Sequence, residues 1–151
     1  MKISPLKLNL FLLFKLPAAF FTGVRATYID SETCIAKVKF RWINQNPFRS
    51  MYWAVQGMAA ELTTGILVMN KINDSGQKIS MLVAHNEGYF SKKATGKIMF
   101  TCKDGHLVDQ ALAKAINTGD GQIFKMTSVG INSEGIEVSN FTFEWTIKLK
   151  S

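Results

Sequence analysis

Histidine and cysteine are scarce in this sequence, two of each among 151 residues. His85 and His106 stand alone, and Cys34 and Cys102 sit in strand-like runs without CxxC or Cys/His spacing. The sequence therefore offers no ready-made metal-ligand set and no dithiol redox motif. Both thiols read as reduced core residues of a cytoplasmic protein, with a single disulfide as the open alternative. Proline is rare too, and the three present, Pro5, Pro17 and Pro47, read as punctuation. No apolar run is long enough to span a bilayer. No internal repeat, low-complexity tract or linker divides the chain, so residues 1–151 read as one domain. Lys and Arg outnumber Asp and Glu by 18 to 11, a net charge of +7. Dense basic runs are missing, however, and the charges alternate along strand-like stretches. The expectation is a basic exterior that serves anionic small molecules or solubility, with no nucleic-acid partner.

What is present centres on NQNPFRSMYWAVQGMAAELTTGILV, residues 44–68. Asn46 and Pro47 make an extended approach, because the residue before a proline avoids the helical region. Ser50 is placed to cap a helix, and the spacing predicts a central helix over 50–69, with Gly65 a natural stop. Met51, Val55, Met58, Leu62 and Ile66 form a broad apolar arc. The other side holds Trp53, Ala60 and Leu67, with Gln56 and Thr63 as its polar members. A helix apolar nearly all round is buried, and this one carries a single acid, Glu61. Ala54, Gly57 and Gly65 fall within roughly 40° of that acid at helical pitch, a stripe of small residues that permits close approach. Two roles stay open: Glu61 serves chemistry, or it bonds a loop N–H group while the small residues nest against a sheet.

The rest of the chain alternates. Residues 1–22 share the outline of an export signal, but Pro5 suits a helix start and Lys7, Asn9 and Lys15 interrupt the apolar run. We read this segment as a packed amphipathic helix, ending near Leu16-Pro17, whose face is Leu6, Leu10, Leu13 and Phe14. A hairpin follows, with Ala36, Val38, Phe40 and Trp42 on one face of its second strand. After the central helix come a strand with a bulge-like His85-Asn86-Glu87-Gly88 quartet and a strand through Ile98, Phe100 and Cys102. A short helix with Val108, Ala111, Leu112 and Ala115 inward leads to two last strands, the second with a phase change near Ser139-Asn140. A long buried helix amid mainly antiparallel strands gives an α+β class.

Several segments together resemble the hotdog superfamily, in its acyl-CoA thioesterase-like branch with a domain of unknown function. They are FKLPAAFFTGVRA near the start, NPFRSMYWA before the helix, MAAELTTG within it, and FSKKATGKIMF downstream. The resemblance implies a curved antiparallel sheet wrapped around one long helix. It implies an acyl-CoA or similar acyl thioester as substrate or ligand, no cofactor and no metal, and a homodimer or dimer of dimers. Glu61 matches the helix acid that acts as nucleophile or activates water. The Trp53 N–H matches the oxyanion donor at the helix start, and Asn46 a polar side chain that positions thioester or water. Ser50, Tyr52, Ala54, Gly57, Lys92 and Lys93 match the substrate-binding surroundings, the lysines towards the CoA phosphates. Tyr52-Trp53-Ala54 stands where many active relatives carry His-Gly-Gly, so binding of an acyl-CoA or fatty-acyl group without turnover is the alternative function.

Overall fold

Ser4 and Pro5 start the first helix as their chemistry dictates. In the computed structural model, which describes residues 3–151, Ser4 accepts a bond from Lys7 N and Pro5 takes the first helical position. Met1 and Lys2, the beginning of the expected 1–22 helical segment, lie outside the described residues. Helix α1 runs Pro5–Lys15, and Pro17, which lacks an N–H, breaks it and starts α2, Pro17–Phe21. The inward face of α1 is not the expected one. Leu8 and Leu12 are buried, whereas Leu6, Leu10 and Phe14 face outward. The helix is apolar on two sides, and only the side meeting the sheet is covered. Asn9 holds that choice by exchanging two bonds with the backbone of Ala26, at 2.9 and 3.0 Å.

Strands β1 (Arg25–Ile29) and β2 (Cys34–Lys39) form the expected hairpin, with Ala36 and Val38 inward. The strand then ends, so Trp42 lies in a short 3-10 turn and is exposed rather than sharing their face. The central helix α3 runs Trp53–Ser75, three residues later and six further than the expected 50–69. Ser50 is not its cap. Asn46 takes the Ser50 hydroxyl and backbone into a tight loop, and Tyr52 holds the N-cap position with no side-chain cap bond. Gly65 does not stop the helix either. A Cβ there would stand 3.2 Å from the Trp145 ring, so glycine serves close packing. The stop is Gly76, left-handed at φ 68°.

Strand β3 (Ile79–Phe90) bulges at Ala84, one residue before the polar quartet, whose own residues pair in regular register with β6, and β4 spans Lys97–Cys102. Helix α4 (Gly105–Thr118) buries Val108, Ala111, Leu112 and Ala115 as its periodicity predicts. Strands β5 (Gln122–Ile131) and β6 (Glu137–Leu149) complete the chain. The extra residue in β6 is Val138, beside the expected phase change, and it leaves Val138 and Ser139 both buried. All pairings are antiparallel, in the order β1-β2-β4-β5-β6-β3. Helix α3 packs against strands β2 to β6, giving the α+β hotdog arrangement of one sheet around one helix.

Three buried hydrogen bonds fix where the helix lies on the sheet. Ser139 donates to Gln56 Oε1 at 2.7 Å, the Thr63 and Ser128 hydroxyls meet at 2.8 Å, and Trp145 Nε1 donates to Thr64 Oγ1 at 3.0 Å. Apolar packing alone tolerates sliding. Directional bonds to buried polar groups do not.

Candidate active site

The start of α3 supplies donors. Helix geometry leaves the first N–H groups without intrahelical acceptors. Val55 and Gln56 N–H turn back to the Tyr52 carbonyl, while the N–H groups of Trp53 and Ala54 have no acceptor among the described residues. Beside them lies an open cavity of about 520 Å³. It is walled by the Asn46–Met51 loop, the aromatic pair Tyr52 and Trp53, Gln56, and the segment from Phe90 to Ala94 after β3. Met51 N bonds to the Ala94 carbonyl at 2.8 Å, which holds that segment against the loop.

Six of the expected residues, Asn46, Ser50, Tyr52, Trp53, Lys92 and Lys93, therefore share one cavity. The Asn46 side chain is heavily used within its loop. Its Oδ1 accepts from Phe48 N at 2.9 Å and Ser50 N at 3.3 Å, and its Nδ2 donates to Ser50 Oγ at 3.0 Å. Asn46 thus builds the loop that shapes the cavity. Arg49, at φ 61°, is the one non-glycine residue in the left-handed region among the described residues, and it turns that loop. Lys93 donates to the Phe48 carbonyl at 3.1 Å, and Lys92 stands 3.8 Å from Glu134 at the surface. Trp53 is 55% exposed, its ring meets Tyr52 edge-on at 5.9 Å, and it lines the open cavity. Phe48, Gln56 and Phe90 also line the cavity, and the sequence reading missed them as site residues. Gln56 carried a signal, as one of the few polar side chains in an apolar helix.

Glu61 lies outside that cavity, two helical turns on, about 12 Å along the axis from Trp53. Its carboxylate is beside Gly65 and near the Trp145 ring, since a Cβ on Gly65 would come 3.2 Å from Glu61 Oε1 and from Trp145 Cζ2. Ala54, Gly57, Glu61 and Gly65 are all partly buried, and a Cβ on Gly57 would touch the Phe141 ring at 3.6 Å. This stripe faces the β6–β3 side of the sheet, where Gly88 also packs under Phe141. No hydrogen bond or ion pair reaches the Glu61 carboxylate among the described residues, and burial raises its pKa above the ordinary value. The alternative in which Glu61 bonds a loop N–H group therefore loses its support. Thr64 donates to the Glu61 carbonyl at 3.0 Å and accepts from Trp145, which pins the turn that presents the acid. Beyond it, β3 is the sheet edge, and its residues from Ala84 to Phe90 are exposed.

The arrangement thus provides a polarising end and a partnerless acid on one helix, too far apart to act on one carbonyl within a single chain. Among the described residues no group of three or more His, Cys, Asp or Glu could hold a metal ion, and no helix is long and apolar enough to cross a membrane.

A family profile described as a domain of unknown function (DUF4442) matches residues 8–147. No match was found among curated proteins. Solved structures of the same fold include a protein of unknown function from Pseudomonas aeruginosa, described as a probable thioesterase. It is 20% identical, with 97% of each chain covered and a TM-score of 0.82. A protein of unknown function from Chlorobaculum tepidum TLS is 16% identical over 97% of this chain and 98% of that one, at a TM-score of 0.81. A thioesterase from Haemophilus influenzae is 11% identical over 99% of this chain and 93% of its own, at a TM-score of 0.71. At these identities the likeness is one of fold.

Proposed function

We propose, from the premise that the chain belongs to the family described as a domain of unknown function (DUF4442), that it hydrolyses an acyl-CoA or similar acyl thioester across a two-fold dimer interface. The observation that carries this reading is the pairing of free N–H groups at the start of α3 with a partnerless, raised-pKa carboxylate two turns later. Two-fold pairing through the open edge of β3 would bring one subunit's Glu61 towards the helix start of the other. The N–H of Trp53, at the positive end of the helix, then polarises the thioester carbonyl. Glu61 acts as base or nucleophile, and a base works best when its pKa is lifted towards the working pH. In the base route Glu61 takes a proton from water as the water oxygen attacks the carbonyl carbon. The C–S bond breaks and the thiolate leaves with that proton. Asn46 and Ser50 shape the pocket, Tyr52, Ala54 and Gly57 border the acyl path, and Lys92 and Lys93 meet the CoA phosphates. The thioesterase names of structures sharing this fold support the reaction class.

The test is an acyl-CoA hydrolysis panel on wild type and Glu61→Gln together. Wild type turns over at least one chain length, and Glu61→Gln lowers kcat by at least about a hundredfold. One observation favours a second reading, acyl-CoA or fatty-acyl binding without turnover. Trp53 lines the open cavity with an indole, which narrows the approach to its own N–H. Tight acyl-CoA binding with no hydrolysis of any chain length would establish that reading, and Trp53→Gly would then be the substitution to restore the reaction.

A further inference from the structure

The outward face of α1 is an apolar stripe with no cover. Leu6, Leu10 and Phe14 are spaced four residues apart and fall along one side of the helix. They are 80%, 57% and 72% exposed, and Phe21 of α2 is 62% exposed. The opposite face, Leu8 and Leu12, is buried and holds the helix to the protein. Leaving such a row in water forgoes the apolar burial that a cover would recover.

The charges around the stripe say what covers it. Helix α1 carries two lysines, Lys7 and Lys15, and no acidic side chain occurs in the first 29 residues. Lys7 is exposed at about 100° from Leu6, directly at the edge of the stripe, and Lys15 is exposed at the C-terminal end of the helix. The carboxylates near this part of the fold, Asp30, Asp74 and Asp109, gather around a separate cavity beyond the helix start, which Ile3 also lines. A second copy seated on the stripe would bring lysine against lysine with no nearby acid from α1 or α2 to pair them. An anionic lipid surface satisfies both halves of the pattern, because acyl chains accept the leucine and phenylalanine side chains while headgroup phosphates accept the lysines.

We infer that α1 is an interfacial element that lays the Leu6, Leu10 and Phe14 stripe on anionic membrane. Attachment is peripheral and reversible, since α1 is 11 residues long and keeps its other face in the core. Membrane attachment through α1 does not depend on thioester chemistry at α3.

Vesicle flotation with the full chain tests it, using phosphatidylcholine alone and phosphatidylcholine mixed with phosphatidylglycerol. The chain floats with the anionic vesicles, and less with the neutral ones or at raised salt. The double variant Leu10→Gln/Phe14→Gln weakens binding by at least about tenfold, and Lys7→Gln or Lys15→Gln each weakens it by about fivefold on anionic vesicles only. Circular dichroism on each variant verifies that the fold is retained, as expected for exposed positions. No flotation with anionic vesicles, or equal flotation of wild type and the double variant, overturns the inference. So does a loss of solution mass in the double variant by light scattering, which would assign the stripe to a second copy.

Discussion

At the scale of single residues, ionisable groups left in low dielectric make the sharpest statements. The Glu61 carboxyl gains nothing from a partner, and burial alone raises its pKa above the ordinary 4.5. The folded chain therefore holds this proton more tightly than the unfolded chain. Below the ordinary carboxylate range both states are protonated and the group is neutral to stability. As pH rises from there through the raised folded value the unfolded chain ionises first, so stability falls across that window and stays lower above it. Glu61→Gln removes this loss. Its melting temperature should match wild type in acid and exceed it at neutral pH, with the gap opening across the window. A gap that is absent or reversed at neutral pH would mean that the acid is stabilised by its surroundings. Cys34 and Cys102 show the same physics in a core. They face each other across β2 and β4, both are free and buried, and burial pushes each thiol up to about 12. A thiol-disulfide reagent at mildly alkaline pH should leave the native chain unlabelled and take up two equivalents only after denaturation. Rapid labelling of the native chain would contradict this.

At the scale of elements, the position of α3 on the sheet rests on polar pairs buried among apolar ones. Thr63 Oγ1 lies 2.7 Å from the Ala60 carbonyl and 2.8 Å from Ser128 Oγ, and both hydroxyls are fully buried. One proton per hydroxyl means that Thr63 donates to the carbonyl while Ser128 donates to Thr63. Thr63→Val keeps the shape and leaves the Ser128 donor with nowhere to go. A loss of about 1–3 kcal/mol is expected in denaturant unfolding, and a second change, Ser128→Ala, should return part of it. If Thr63→Val is as stable as wild type, apolar packing alone positions the helix and the pair is incidental.

At the scale of the whole molecule, the sheet is unfinished. β3 is an edge strand of 12 residues whose last seven are exposed, and Leu82, Tyr89 and Phe90 stand out among them and just before. An open edge of that length is a pairing surface, and a two-fold partner there would cover the stripe that carries Glu61. Light scattering at micromolar concentration should give twice the chain mass, and specific activity should drop on dilution through the dissociation range. A monomer that retains full activity would defeat the shared site.

Much of this was legible locally. Period-two alternation marks the strands and period 3.6 marks α4, because which side of an element is apolar is written in its own residues. The same reading finds Glu61, since one carboxylate within the apolar stretch 50–69 is visible without any partner; the helix itself runs on to take in Asp74 as well. Other features depend on what an element meets. α1 is apolar on two faces, so its pattern does not say which goes inward, and the Asn9 bonds to Ala26 on β1 decide it. Ser50 suits a cap by type, yet Asn46 claims its hydroxyl four residues earlier and delays the helix to Trp53. Gly65 has the form of a stop, but the Trp145 ring, eighty residues on, makes it a point of close approach. Phe90 and the lysines that follow join the helix start only through the pairing of β3 with β6 and the bond from Met51 to Ala94. Local sequence determined what each segment could bury and which polar groups it carried. The tertiary structure alone decided which face was covered and which distant groups met, because those outcomes are set by contacts between residues far apart in the chain.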